Sequence, residues 1–194
     1  MKKKILILNG SPKKNGNTEK LASWFAGGAS SKGVEVKIIR AALLKSKARG
    51  CTSCRICQKK KQYECVIDDD VRGVLKDMAR SDIIVFATPL YFYGPSAQLK
   101  LIMDRMFSLY KWDNTTDTFT SPMKGKTMAL ILSAYEDIGL KTVEKSFKLI
   151  ADYSDMCFKS LLVLNAGESG EVESIKGMRA RTVAFAKKVV NKLI

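Results

Sequence analysis

The chain has 194 residues, of which 46% are hydrophobic, 8% aromatic and 27% charged, and this length suffices to bury the core of one globular domain. Lys and Arg number 34 against 19 for Asp and Glu, which gives a formal net charge of +15, and the chain contains no histidine. The absence of histidine excludes Ser-His-Asp and Cys-His nucleophiles, His-ligated metals and a histidine general base.

The charge and the apolar runs also restrict the partners of the protein. A positive surface speeds encounters with any polyanion but does not identify one. The sequence has no zinc-finger spacing, basic zipper or RNP-like aromatic stretch, so nucleic acid is disfavoured as the main partner. The longest apolar run is too short for a membrane span, and the start of the chain has too few apolar residues for a signal peptide. We expect a soluble, cytoplasmic protein.

Short apolar runs rich in β-branched residues alternate with longer segments that have apolar residues at helical spacing. The predicted strands are residues 5–8, 34–39, 83–87, 128–132 and 161–164. The predicted helices fall on residues 21–25, 71–78, 99–106, 143–150 and 175–189. This alternation predicts an α/β fold with a parallel sheet covered on both faces, because parallel strands need crossover connections. We expect a single domain over residues 1–194, with ligands beyond the carboxyl ends of the strands.

Two segments interrupt this alternation. Residues 41–67 contain four cysteines among many Lys and Arg, and we interpret them as an insertion. Residues 111–126 are polar, contain one Pro and one Gly, and are expected to form a surface loop before a strand. The remaining cysteine, Cys157, lies next to Met156 and Phe158 in a segment interpreted as helical, where a small core residue is expected.

The first predicted strand runs into residues 9–18, which combine two glycines, two lysines and several hydroxyl or amide side chains immediately before a predicted helix. Free backbone N–H groups at a helix N-terminus stabilise a phosphate, and Ser11, Asn17 and Thr18 can add donors. The segment matches neither a Walker A loop nor Gly-x-Gly-x-x-Gly, which disfavours an NTPase and a dinucleotide fingerprint. A Gly/Asn turn with an N-cap and no ligand remains the alternative.

The third predicted strand is followed by residues 88–96, where two prolines and a glycine stiffen a loop that carries three consecutive aromatic residues. Such a loop can pack against a flat conjugated ring and offer backbone N–H groups to its edge. Its aromatic side chains could instead cap the core or form a subunit contact. Residues 133–139, after the fourth predicted strand, are placed to close over the same ring.

These loops, together with Gly16-Asn17-Thr18, Ser96-Ala97-Gln98-Leu99-Lys100 and Asp104-Arg105, resemble the flavodoxin-like NAD(P)H-dependent FMN reductases over essentially the whole chain. The resemblance implies a flavodoxin-like three-layer α/β/α fold with strand order 2-1-3-4-5 and FMN as the cofactor. It implies that the phosphate is held by the first loop, with the residues Ser11, Lys13, Gly16, Asn17 and Thr18. It implies that the isoalloxazine ring is framed by Pro89, Leu90, Tyr91, Phe92, Gly94, Ser133, Tyr135 and Gly139.

The cysteines Cys51, Cys54, Cys57 and Cys65 follow the pattern C-x₂-C-x₂-C-x₇-C within a basic stretch. In a cytosolic protein, so compact a group is more typical of metal binding or redox activity than of structural disulfides. The arrangement resembles the iron-sulfur flavoproteins, a branch of the same fold, and this implies a [4Fe–4S] cluster. Cys₄ zinc and free or disulfide-forming thiols stay open as alternatives.

These observations predict an FMN-dependent oxidoreductase or electron-transfer flavoprotein, in which the flavin carries the chemistry and no catalytic side chain is required. If the cluster is present, FMN exchanges electrons with it, and an acidic ferredoxin is a suitable partner for a chain of net charge +15. The alternative is an NAD(P)H-dependent FMN or quinone reductase without a cluster. A zinc-stapled nucleic-acid-binding protein is the alternative from another class. The family resemblance also implies a homodimer or homotetramer.

Overall fold

The computed structural model describes residues 2–30 and 34–191. The strands are β1 (Lys4–Asn9), β2 (Glu35–Arg40), β3 (Ile83–Pro89), β4 (Lys111–Asp113), β5 (Thr118–Thr120), β6 (Thr127–Ser133) and β7 (Cys157–Val163). The α-helices are α1 (Asn17–Ser30), α2 (Ile56–Lys59), α3 (Asp70–Arg80), α4 (Ala97–Arg105), α5 (Leu140–Tyr153) and α6 (Met178–Val190).

Five strands form one parallel sheet in the order β2-β1-β3-β6-β7. β4 and β5 form a separate antiparallel pair, so β6 and β7 are the fourth and fifth strands of the parallel sheet. The observed order is therefore the predicted order 2-1-3-4-5, and the predicted fold is confirmed. Each parallel connection carries the chain back across a face of the sheet, so the carboxyl ends of β1, β3, β6 and β7 meet at one edge. Any ligand held by the loops after these strands therefore binds at that edge.

The core lies on both faces of the sheet because alternate side chains of each strand point to opposite faces. On one face, Leu6, Leu8 and Phe86 pack with apolar residues of α3, α4 and α5. On the other face, Ile5 and Ile7 pack with apolar residues of α1 and α6. The central strands are therefore buried on both sides, which explains their continuous apolar runs.

Two predictions about the segments around the sheet are wrong. Residues 111–126 precede β6 as expected but are not a loop throughout, since Trp112 pairs with Phe119 across the β4–β5 hairpin. Their rings lie 5.1 Å apart and both approach Tyr153, so aromatic packing stabilises this short hairpin. Cys157 is not in a helix but begins β7, where it pairs with Thr127 and is half-buried. β7 lies at the edge of the sheet, and its first residues include Lys159 and Ser160. The apolar pattern of the sequence therefore predicted a strand only from residue 161.

Within the described ranges, none of the helices combines the length and the apolar character that crossing a lipid bilayer requires.

Candidate functional site

A cavity of about 150 Å³ lies at the carboxyl edge of the sheet, between the loops that follow β1, β3, β6 and β7. Ten residues predicted from the sequence line it, namely Ser11, Lys13, Gly16, Asn17, Thr18, Pro89, Leu90, Tyr91, Ser133 and Tyr135. We call this cavity the edge pocket. The structure thus brings together the first loop and the loops after β3 and β6, as the sequence predicts.

The first loop is folded tightly by its own backbone. Gly10 donates its N–H to the Ala87 carbonyl at 2.8 Å, which joins the loop to β3. Ser11 donates its N–H to Asn9 Oδ1 at 3.0 Å, and Lys13 donates its N–H to Ser11 Oγ at 3.2 Å. A Cβ atom on Gly16 would lie 3.2 Å from Lys13 Cβ, so a side chain there would crowd the loop. The result is a compact turn directly before α1.

The start of α1 supplies donors for an anion. Among the described residues, the backbone N–H groups of Gly16, Asn17 and Thr18 meet no protein acceptor, as is usual for the first turn of a helix. All three residues line the edge pocket. Unpaired N–H groups and the positive end of the helix dipole favour a phosphate at this position.

The side chains of Asn17 and Thr18 are already engaged within the protein. Asn17 donates from Nδ2 to the Glu168 carbonyl at 2.7 Å, and its Oδ1 accepts from the Val172 N–H at 3.2 Å. The Thr18 and Ser133 hydroxyls lie 3.1 Å apart. Asn17 therefore joins the first loop to the loop after β7, and the hydroxyl pair joins α1 to the end of β6.

The aromatic loop after β3 makes a tight turn. Tyr91 and Gly94 exchange two backbone hydrogen bonds of 3.0 Å, and between them Phe92 and Tyr93 adopt positive φ values of 46° and 62°. Aromatic residues seldom adopt this conformation. Phe92 is completely exposed at the tip. Phe92 and Gly94 thus lie outside the wall of the edge pocket, whereas Tyr91 lines it.

Gly139 also lies outside the wall of the edge pocket and instead fixes a neighbouring loop. Its φ is +83°, and a Cβ atom there would lie only 2.5 Å from Cδ1 of Tyr93. Glycine at this position therefore lets the loop before α5 pack against the aromatic turn. The role of Gly139 in framing a ring stays a prediction.

Ala134, within the predicted segment 133–139, also lines the edge pocket, whereas the sequence analysis missed three further residues of its wall: Ala166, Gly167 and Ser169. All three belong to the loop after β7, where Gly167 packs so closely under Tyr135 that a Cβ atom would lie 2.9 Å from its ring. The two glycines that follow the fifth predicted strand were a signal that could have identified this loop.

A second cavity, of about 20 Å³, is lined by all four cysteines of residues 41–67. We call it the thiol cavity. Cys51 and Cys54 are exposed, Cys57 and Cys65 are buried, and none of the four forms a disulfide. In the part of the chain that the structure describes, no three Cys, Asp or Glu side chains converge closely enough to hold a metal ion. The four thiols therefore share one wall without meeting at one point.

The thiols of this cavity differ in their surroundings. Burial raises the pKa of Cys57, and the Cys65 and Cys54 thiols add to this effect, whereas Gln58 and Lys111 oppose it. Hydrogen bonds from the Ile56 N–H and then from the Thr52 side chain lower the pKa of Cys54. The exposed Cys54 is therefore the more readily deprotonated of these two thiols.

Two groups of ion pairs attach residues 41–67, here called the cysteine segment, to helices α3 and α4. Glu64 accepts two hydrogen bonds of 3.0 Å from Arg72 Nη2 and pairs with Lys60 and Lys76, which together hold its pKa at about 2. Asp69, the N-cap of α3, pairs with Arg105 of α4 at 2.7 Å, with both side chains almost fully buried, and it accepts the N–H of Lys47 from the cysteine segment at 3.0 Å. The segment is therefore a fixed part of this face of the protein.

Helix α4 runs from beside the first loop to the wall of the thiol cavity. Ser96, which caps α4, lies beside Gly10 of the first loop, since a Cβ atom on Gly10 would lie 2.7 Å from Ser96 Oγ. Arg105 at the other end of α4 lines the thiol cavity. With nine residues, α4 is roughly 14 Å long.

Comparison with known proteins identifies relatives of this chain. The model of a family described as NADPH-dependent FMN reductase matches residues 3–169. An iron-sulfur flavoprotein from Methanocaldococcus jannaschii is 37% identical over 102 residues, a match that covers 53% of this chain and 51% of that protein. The chain is thus matched over only about half the length of this relative.

Two solved structures share the fold. An NAD(P)H:quinone oxidoreductase from Methanothermobacter marburgensis superimposes with a TM-score of 0.70 at 13% identity and 100% coverage of both chains. An FMN-dependent NADH-azoreductase from Bacillus anthracis, solved in complex with FMN, gives a TM-score of 0.68 at 13% identity, with 97% of this chain and 99% of that chain covered. Because the family model spans most of the sequence, the chain belongs to the NADPH-dependent FMN reductase family.

Proposed function

We propose that this chain is an oxidoreductase that binds FMN in the edge pocket and transfers electrons between a reduced nicotinamide cofactor and an acceptor. The main support for this proposal is that Gly16, Asn17 and Thr18, whose backbone N–H groups are unpaired, line the same pocket as the loops after β3 and β6. This donor set fits a phosphate monoester, which is the anionic end of FMN. The apolar and aromatic wall fits a planar ring.

The two ends of the edge pocket then have separate roles. Ser11 and Thr18 with the start of α1 hold the phosphate; the Thr18 hydroxyl accepts from Ser133 and donates its own proton to the phosphate. Lys13 adds positive charge from its exposed position. Pro89, Leu90 and Tyr91 with Ser133 and Tyr135 frame the ring, and the predicted contacts of Phe92, Gly94 and Gly139 remain part of this proposal. When bound, FMN supplies hydride and single-electron transfer, so the protein has to provide only binding and orientation.

Exposed side chains at the mouth of the edge pocket suit a substrate that enters from solvent. Tyr91 is 42% exposed and Tyr135 is 66% exposed, although both line the pocket. Flat aromatic surfaces of this kind can stack on a nicotinamide or a quinone ring. We expect such substrates to bind in turn at this mouth.

The experiment compares FMN with riboflavin, which lacks the phosphate, in binding titrations with the purified protein. Thr18→Val is expected to weaken FMN binding by roughly 10- to 150-fold, since a hydrogen bond to a charged group contributes about 1.5–3 kcal/mol, and to change riboflavin binding little. Thr182→Val is the matched control, because the Thr182 hydroxyl is also buried but bonds to the Met178 carbonyl in α6. Equal affinities of the wild-type protein for FMN and riboflavin would contradict the proposed phosphate site.

We further infer that Cys51, Cys54, Cys57 and Cys65 hold a [4Fe–4S] cluster. The inference is supported by their common position around the thiol cavity and by their state as free thiols. Four thiols are the ligand set that such a cluster requires, and the exposed Cys51 and Cys54 leave one side of the site accessible for its assembly. When bound, the cluster supplies one-electron transfer.

Metal analysis of protein purified without oxygen tests this inference. About four iron and four sulfide per chain are expected in the wild-type protein, and a loss of both in Cys57→Ser. Cys157→Ser is the control, since Cys157 lies in β7 and does not line the thiol cavity. Zinc without sulfide would favour the Cys₄ zinc alternative, and neither metal would indicate that the cysteines act as thiols.

We also propose that residues 1–194 form one domain with an insertion at about 41–67, because Ala41 and Cys65 pack into the same core as the sheet. Free thiols fit the reducing conditions of the cytoplasm. The family resemblance suggests a homodimer or homotetramer.

The net charge of +15 suits a fast encounter with an acidic ferredoxin. A rate of reduction by ferredoxin that does not fall with rising ionic strength would contradict the proposed electrostatic docking.

A further inference from the structure

Arg105 is a buried cation, and one of its hydrogen-bond donors has no acceptor among the described residues. Its side chain is fully buried, and it belongs to the wall of the thiol cavity together with the four cysteines. Among the described residues, its Nε–H has no hydrogen-bond partner although the atom is buried. A buried donor without an acceptor is costly, so its place in the wall of a cavity points to a group that would occupy the cavity.

The other donors of Arg105 are already assigned, and they fix the orientation of its guanidinium. Nη1 and Nη2 donate to the two carboxylate oxygens of Asp69 at 2.7 and 2.9 Å, and Nη2 also donates to the Ile67 carbonyl at 3.2 Å. A guanidinium held at both Nη atoms by one carboxylate cannot turn its Nε towards that carboxylate. The Nε–H therefore requires an acceptor other than Asp69.

Sulfur atoms are the acceptors that the thiol cavity offers. Arg105 and Cys65 both line this cavity, and the Ile67 carbonyl that accepts from Arg105 Nη2 lies two residues along the chain from Cys65. Cys65 is itself buried, so solvent cannot easily replace its sulfur as an acceptor. Thiolates and inorganic sulfide accept hydrogen bonds more strongly than a neutral thiol does, because they carry negative charge.

We propose that the Arg105 Nε–H is a hydrogen-bond donor to the sulfur ligands of the metal site, at Cys65 or at a sulfide bound beside it. This inference rests on the proposed cluster. A donor at this point withdraws electron density from the sulfur, so it raises the reduction potential of the centre and slows the loss of iron. Arg105 is thus a positioning residue that also anchors the cysteine segment through Asp69.

Two variants separate the hydrogen bond from the anchoring role. Arg105→Lys keeps a positive charge near Asp69 but has no Nε–H, and it is expected to lower the reduction potential and to release iron to a chelator several-fold faster. Asp69→Asn keeps the Arg105 Nε–H but removes a neighbouring negative charge, so its reduction potential is expected to equal or exceed that of the wild type. A purely structural Arg105 would leave the reduction potential of Arg105→Lys unchanged.

A measurement on the unaltered site covers the case in which Arg105→Lys does not fold. Pulsed paramagnetic resonance of the reduced protein, labelled with ¹⁵N at arginine Nε, is expected to detect a coupling to one arginine nitrogen. Arg55→Lys is the control, since Arg55 is the other arginine of the thiol cavity, and the coupling should persist in it.

The outcomes distinguish this inference from the proposed function. An iron–sulfur cluster in the wild type, with no arginine coupling or with an unchanged potential in a folded Arg105→Lys, would overturn the role of Arg105 alone. Absence of iron and sulfide from anaerobically prepared wild-type protein would overturn the cluster and this inference together.

Discussion

Replacement of Asp69 by Asn is expected to destabilise the protein strongly and to alter its response to acid. Asp69 accepts two hydrogen bonds from Arg105 and one from the Lys47 N–H at 3.0 Å, and it is also the N-cap of α3. Both members of the ion pair are almost fully buried. Removing the carboxylate leaves the Arg105 charge uncompensated, which costs about 3–5 kcal/mol in such pairs.

The pH dependence follows from the pKa of Asp69. Burial raises this pKa, but Arg105 and the backbone N–H groups of Lys47 and Arg72 outweigh burial and lower it from 3.8 to about 2. A lowered pKa means that the ionised Asp69 stabilises the folded state above pH 3.8 and that this contribution is lost as the pH falls through 2. The difference corresponds to about 2 kcal/mol, of which about 1 kcal/mol is lost by pH 3.

Urea unfolding of both proteins between pH 5 and pH 3 measures this effect. The wild type is expected to exceed Asp69→Asn in free energy of unfolding at pH 5, and the gap is expected to narrow by about 1 kcal/mol at pH 3. Glu64 also titrates with a pKa of about 2, but it is present in both proteins and cancels in the difference. A gap that is independent of pH, or one below about 0.5 kcal/mol at pH 5, would refute the proposed strength of the buried pair.

Three further changes test the loops around the edge pocket. Gly139→Ala is expected to lower the thermal midpoint more than Gly177→Ala, because both glycines have positive φ but only the Cβ at Gly139 would clash with the Tyr93 ring; equal losses would mean that backbone strain alone matters. Asn17→Ala removes both side-chain hydrogen bonds to the loop after β7, so FMN should dissociate faster in stopped-flow measurements. An unchanged dissociation rate would mean that these bonds do not help to retain FMN. Phe92→Asn is expected to raise the thermal midpoint, since asparagine tolerates a φ of 46° better than phenylalanine does, and a lower midpoint would indicate that the exposed ring has a stabilising contact.

The sheet could be predicted because its central strands are buried on both faces. Residues 5–8 form an uninterrupted apolar run, and such runs are visible without any knowledge of their neighbours. The first loop was also predictable, since its glycines and hydroxyl residues stand between a strand and a helix. Local patterns of this kind carry their structural meaning within a few residues.

Contacts between distant residues could not be predicted in the same way. The Asn17 side chain bonds to the loop after β7, 151 residues away, so its local sequence indicated a free phosphate ligand instead. The β4–β5 hairpin depends on the packing of its rings against Tyr153, which belongs to α5. The burial of Arg105 depends on Asp69, 36 residues away, and a charged residue on a helix is usually exposed.

The most direct test of the central claim is the flavin content of the purified protein. Heat release of the flavin, followed by chromatography against FMN, riboflavin and FAD standards, is expected to yield FMN at about one per chain, either as purified or after incubation with FMN, since the chain has one edge pocket with a phosphate-binding loop. Protein that retains no flavin after incubation with FMN, or that retains riboflavin equally well, would contradict the account.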